Sequence, residues 1–155
     1  MIKLLEDDLM QELVNLNVTN LGLTPIAAQI LACIKSDFKN EGVTFDQLQE
    51  VLDVSKGSIS LNLKTLISKG IILEINKFND RKRYFVINPE FSINRIREVI
   101  EKLEHEIKVF SRVNECANRE CDANPDFLKK MKIYKELSDN IIQLLKESLL
   151  KLESI

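Results

Sequence analysis

Tryptophan is absent from the 155-residue chain, and histidine occurs once. That residue, His105, stands between Glu104 and Glu106 in a charged helical stretch, the setting of a solvated surface histidine rather than of a general base. No glycine-rich phosphate loop, nucleophile elbow or paired-carboxylate site occurs, so no catalytic residue is assigned. Cysteine is scarce and odd in number: Cys33, Cys116 and Cys121 leave one thiol unpaired and argue against a disulfide framework. With His105 they make four metal ligands on paper. His105 and Cys116 lie eleven residues apart on one predicted helix, roughly 16 Å at 1.5 Å per residue, too far to share an ion within one subunit. No metal or cofactor is expected. No apolar run reaches membrane-spanning length and no signal-peptide pattern opens the chain. No membrane partner is expected, and the cytoplasm is the default compartment.

What charge there is falls unevenly. The net charge is −2. From Ser55 to Tyr84 the chain carries seven Lys/Arg against two Asp/Glu, a local +5, leaving −7 on the remainder. A basic segment on an acidic body suits a protein that presents one face to a polyanion.

Met1 to Leu16 reads as a helix with Ile2, Leu5, Leu9, Leu13 and Leu16 as its stripe, and Asn17 to Leu23 as a break. Thr24-Pro25 starts a second helix, Thr as N-cap and Pro at its first position. It is expected to reach about Phe38, with Ile26, Ile30, Leu31, Ile34 and Phe38 inward. Cys33 lies on that apolar face as a small core residue. After the Lys39–Gly42 loop, Thr44 and Gln47 form a capping box. They open a short helix to about Leu52. Asp53-Val54 then turns into a helix capped by Ser55 and ended by Gly70 at C′. Ile59, Leu63, Leu66 and Ile67 make its apolar face. A short helix, a turn and a second helix make a helix-turn-helix.

Past Gly70 the period becomes two. Ile71 to Asn76 and Arg83 to Ile87 read as strands joined by the tight polar loop Lys77–Lys82, where Asn79-Asp80 supplies turn chemistry. A basic hairpin directly behind a helix-turn-helix is a winged helix. Ser92 to about Ala117 is a long helix with Ile96, Ile100, Leu103, Ile107 and Phe110 inward. Asn124-Pro125-Asp126 restarts the chain into a last helix to about Leu152. That helix is apolar over too much of its circumference for a one-sided surface helix. One side is expected to meet a second subunit through Met131, Tyr134, Ile141, Leu145 and Leu149. Leu5, Leu9 and Leu13 are expected to join them from the first helix. The fold class is mainly α (α+β). The expected domains are an N-terminal dimerisation helix at 1–20, a winged helix-turn-helix at 21–90 and a C-terminal helical dimerisation arm at 91–155.

The expected DNA-contacting set follows from side-chain type and position. Thr44, Ser55, Lys56, Gly57 and Ser58 lie at helix starts, where amides and short polar or basic side chains meet phosphate. Ser60, Leu61, Asn62, Lys64 and Thr65 continue along the reading helix. Asn62 has the amide that pairs with adenine, and Leu61 can touch a thymine methyl. Lys77, Arg81, Lys82 and Arg83 belong to the wing, and Arg81 is expected in a minor groove.

Ser55-Lys56-Gly57-Ser58-Ile59-Ser60, then Leu63, Leu66 and Lys69-Gly70-Ile71-Ile72, then Asp80-Arg81-Lys82-Arg83-Tyr84 resemble the MarR superfamily of winged-helix transcriptional regulators, most closely its GbsR-like branch. Leu21-Gly22-Leu23-Thr24-Pro25 fits less strictly, and Lys82 stands where the commonest pattern has Arg. The match covers residues 20–90. The resemblance implies a homodimer on double-stranded DNA, bound to a pseudo-palindromic operator and usually a repressor. A small-molecule effector of unnamed identity is left open, with any cavity for it expected between the Ser92–Ala117 helix and the winged domain. The rival readings are a winged helix used as a protein-interaction module, and a redox-sensing regulator that uses Cys116 and Cys121 with Arg119 between them.

Overall fold

The computed structural model describes residues 5–119 and 124–154. The chain folds as two compact units, one ending at Phe91 and the other beginning at Ser92.

The first unit is built around one helix. Seven of the eleven residues of α2 (Pro25–Lys35) are buried, among them Ala27, Ala28, Ile30, Leu31 and Ile34. Its alanines let α1 (Asp7–Leu21) and the later α4 (Lys56–Ser68) come close. Thr24 caps α2 by accepting a hydrogen bond from the Ala27 amide, and Pro25 fills the first position, as expected. Burial pushes the Cys33 thiol up to about 11, which suits a core residue.

Three expectations for this part are corrected. The first helix does not break at Asn17; it runs to Leu21 and ends at Gly22 in the left-handed region. Asn17 stays helical because its buried amide has partners on α2: it donates to the Ala28 carbonyl at 3.2 Å and accepts from Lys35 Nζ at 2.7 Å. Leu5 precedes the helix instead of lying on it. Phe38 is not inward. The helix stops at Lys35, the Ser36 hydroxyl turns back onto the Ala32 carbonyl, and Phe38 is left 76% exposed. The face of α1 that meets the core carries Met10, Leu13, Val14, Val18 and Leu21, while Leu9 and Leu16 point outward.

β1 (Val43–Thr44) leads into α3 (Phe45–Val51). β2 (Ile72–Asn76) and β3 (Arg83–Ile87) form the hairpin, with Asn76 opposite Arg83 and Ile72 opposite Ile87. The three strands make one antiparallel sheet in the order β1-β3-β2. A Cβ on Gly42 would lie 2.9 Å from Tyr84 Cβ, and its φ is +88°, so only glycine lets β1 approach β3 this closely. Phe85, Leu48, Ile59, Leu66 and Ile72 complete the core beneath α2. Asn88 locks the hairpin's exit: its amide donates to the Gly70 carbonyl, and its Oδ1 accepts from the Glu90 amide at the mouth of α5.

The second unit is formed by α5 (Glu90–Arg119) and α6 (Pro125–Glu153). Along α5, Ile93, Ile96, Ile100, Leu103, Ile107, Phe110, Asn114 and Ala117 recur at alternating three and four residues, all buried or half-buried. Leu128, Met131, Ser138, Ile142, Leu145 and Leu149 mark the matching stripe of α6. The pairing is antiparallel. Phe110 meets Tyr134 edge-to-face at 5.5 Å, Tyr134 donates to Glu106 at 3.0 Å, Lys146 pairs with Glu104, and Arg97 pairs with Glu153. The Glu106 carboxylate also holds the Tyr134 phenol above its ordinary pKa.

Candidate nucleic-acid interface

α3, the turn after it, α4 and the β2–β3 hairpin form a winged helix-turn-helix in a mainly helical chain. The start of α4 follows from Ser55, whose hydroxyl accepts from the Ser58 amide at 3.2 Å. Its inner face is Ile59, Leu63 and Leu66, all buried. The centre of the opposite face is therefore Gly57, Leu61, Lys64 and Ser68, at i, i+4, i+7 and i+11. Leu61 is 66% exposed there. Lys56 is exposed at the first turn, and Ser58, Ser60 and Thr65 are half-buried on the flanks. Thr65 donates its hydroxyl back to the Leu61 carbonyl. A Cβ on Gly57 would meet nothing nearer than Ser55 Oγ at 3.9 Å, so the space in front of the first helical amides is open.

Two residues expected at the interface are engaged elsewhere. Thr44 is buried, and its hydroxyl is spent in the capping box with Gln47. It belongs to the fold beneath the interface. Asn62 turns away from the centre of the face: its Oδ1 accepts from Thr24 Oγ1 at 2.8 Å, and its amide nitrogen donates to the Ser58 carbonyl at 2.8 Å. Its carboxamide thus joins α4 to the cap of α2. Its oxygen and its nitrogen each hold one partner within the fold, which leaves one lone pair and one N–H of the group expected to pair with adenine.

The wing is held by its own side chains. Asp80 accepts from Tyr84 Oη at 2.6 Å and from the Lys82 amide at 2.9 Å. The Tyr84 bond, then the Lys82 amide and the nearby lysines, hold the Asp80 carboxyl below its usual value, and the same bond raises the Tyr84 phenol. The Lys77 ammonium lies 4.1 Å from the centre of the Tyr84 ring. Arg83 reaches Glu74 across the hairpin at 3.5 Å, while Arg81 and Lys82 are exposed at the tip.

Sequence reasoning missed Ser68, Lys69 and Phe78. Ser68 and Lys69 are exposed at the end of α4, and counting outward from Gly57 in helical steps finds Ser68. Phe78 was hidden by the polarity of the loop around it.

The other candidate sites are dispersed. Cys116 is exposed on α5, and Cys121 lies outside the described residues. Among the described residues no three His, Cys, Asp or Glu side chains gather as a metal site, and no single helix is long and apolar enough to cross a membrane. A groove of about 780 Å³ opens between α5 and α6, floored by Ile107, Phe110, Leu128 and Met131.

Along α6 the expected subunit-facing residues separate into two sets. Met131, Leu145 and Leu149 belong to the stripe matched to α5. Ile133, Leu137, Ile141 and Leu144 make an exposed apolar face away from that stripe, with Leu137 at 54% and Leu144 at 64% exposure, while Phe127, Leu150 and Leu152 are exposed elsewhere on the helix. Tyr134 stands at the edge, bonded to Glu106.

No protein-family model matches the chain, and no curated protein matches it. Among solved structures, a transcriptional regulator superposes with a TM-score of 0.51 at 21% identity, over 94% of this chain and 99% of that one. The MarR protein from Peptoclostridium difficile DA00132 aligns over 96% of each chain at 19% identity, with a TM-score of 0.40. The likeness to the first is one of fold.

Proposed function

We propose that this chain is a sequence-specific, double-stranded-DNA-binding transcriptional regulator of the MarR type, acting as a homodimer and as a repressor in the cytoplasm. The observation that carries the reading is the joint placement of the outward face of α4 and the basic wing on one unit. Gly57, Leu61, Lys64 and Ser68 are presented on the helix, and Lys77, Arg81 and Lys82 behind it. The rest of the chain is net acidic. Lys56, Lys64 and Ser55 suit phosphate, Leu61 suits a thymine methyl, and Arg81 suits a narrow minor groove. Ser58, Ser60 and Thr65 flank that face. Asn62 serves as the strut that sets the helix on α2.

The second copy docks on the Ile133, Leu137, Ile141 and Leu144 face of α6, which is apolar and exposed in the single chain. Leu9 on α1 is exposed as well. Two reading heads related by a two-fold axis require half-sites about 34 Å apart or a multiple of that. Bound across a promoter, such a dimer represses by excluding the transcription machinery. The GbsR-like branch is the nearest resemblance at the level of motifs, and an effector has a candidate seat in the α5–α6 groove.

Selection of bound duplexes from a random pool tests the proposal. A recovered motif with dyad symmetry is the expected result. A pool that stays random after repeated rounds overturns it and favours the protein-interaction reading.

A further inference from the structure

The tip of the β2–β3 hairpin carries a side chain that the DNA-binding scheme above leaves unused. Phe78 is 95% exposed. It is the only apolar residue between Asn76 and Arg83. The loop that presents it is firmly built. The Asp80 amide donates to the Lys77 carbonyl at 3.1 Å, and the Asp80 carboxylate takes the Lys82 amide and the Tyr84 hydroxyl. Asn79 adopts φ +61°, a conformation tolerated by Asn. Lys77 lies over the Tyr84 ring. These contacts fix the loop through Asp80 and Tyr84 and leave the phenyl ring outside them.

The surroundings of that ring select its occupant. Lys77, Arg81, Lys82 and Arg83 stand within five residues of it, and Asp80, the one carboxylate in the loop, has both oxygens engaged. An apolar protein partner needs a wider patch than one ring collared by cations. A polyanion with a stackable interior fits better, because phosphates meet the cations while the ring meets base pairs.

We infer that Phe78 is a minor-groove wedge. With the wing in the groove, the ring presses into one base step on each flank of the site and partly unstacks it, while Arg81 lies in the groove beside it and Lys82 holds a neighbouring phosphate. The wedge rests on the DNA-binding function proposed above. Flexible pyrimidine–purine steps are the easiest to open, so they are the steps it selects.

The test uses the full-length chain and a duplex it has selected from a random pool. Single 2-aminopurine substitutions along both flanks report unstacking as a rise in fluorescence. Wild-type protein is expected to raise the signal at one flank step per half-site. Phe78→Ala should abolish the rise, weaken that duplex about tenfold and leave the salt slope unchanged. Phe78→Trp should keep the rise. Arg81→Ala should keep it too, while lowering the salt slope by about one. Wild-type binding with no rise at any flank position, or a Phe78→Ala variant identical to wild type, overturns the wedge and leaves the DNA reading standing. Failure of the wild type to bind any duplex overturns both. The ring's exposure keeps folding out of the comparison, and an unchanged melting temperature for Phe78→Ala checks it.

Discussion

Tyr84 reaches across the base of the wing and donates a 2.6 Å hydrogen bond to Asp80, joining the second strand of the hairpin to the loop it follows. The Asp80 carboxyl is lowered by that bond and the Tyr84 phenol is raised by it. A lowered carboxylate pKa stabilises above the unfolded value and loses its contribution as pH falls through the folded value. A raised phenol pKa stabilises below the unfolded value and loses its contribution as pH rises through the folded value. The wing loop is therefore at its most ordered across the neutral range. Carboxyl NMR titration should find Asp80 below the ordinary value of about 3.9 in the wild type and shifted back up in Tyr84→Phe. Equal Asp80 titrations in the two proteins would contradict the coupling.

Gly57 separates fold from function in a single substitution. A methyl carbon added at this position meets nothing closer than 3.9 Å, and the backbone is ordinary helix. Gly57→Ala should raise folding stability by about 0.5–1 kcal/mol through the unfolded state. The same methyl stands where a phosphate would approach the first amides of α4, so DNA affinity should fall. Melting temperature and duplex binding, measured on one preparation, check both signs. A variant that binds DNA more tightly would remove Gly57 from the interface.

Asn62→Ala should act mainly on stability. The substitution removes the acceptor of the Thr24 hydroxyl and the donor to the Ser58 carbonyl. A cost of about 1 kcal/mol in chemical denaturation is expected. Preference at each base of the selected site should stay close to wild type. Loss of specificity at one position with full stability would restore Asn62 as a base reader.

The two faces of α6 predict different failures. Leu137→Glu with Leu144→Glu places charge on the exposed stripe and should yield a folded monomer. Ile142→Ala, on the buried stripe, should lower stability by about 2–5 kcal/mol. Sedimentation velocity and thermal unfolding distinguish the two. An intact dimer in the double variant would move the subunit interface away from this face.

Much of the first unit is legible in the sequence because its boundaries are local chemistry. Thr24-Pro25, Thr44 with Gln47, Ser55 and Gly70 each mark a helix end with a side chain or a conformation, and each does so in the structure. The strands and their polar loop are legible from β-rich runs bounded by Gly70 and Asn88, but burial does not alternate along them: Ile71 and Ile72 are both buried, Leu73 is exposed, and Phe85 and Val86 are both buried. What fails depends on distant partners. Asn17 looks like a break because its partners, Ala28 and Lys35, lie on another helix. Phe38 looks inward because the periodicity does not register that Ser36 closes α2. β1 has two residues, too few for any period, and is set by its pairing with β3. On α6, apolar residues occupy two faces, and only the position of α5 tells which face is already matched.

Binding of duplex DNA by α4 and the wing should run through their cations. Affinity of the intact chain for a selected duplex, measured across a salt series for wild type, Lys64→Ala and Arg81→Ala, tests this most directly. A linear fall of log K with log salt is predicted, with each variant's slope shallower by about one. Binding that ignores salt, or variants whose slopes equal the wild type's, would contradict it.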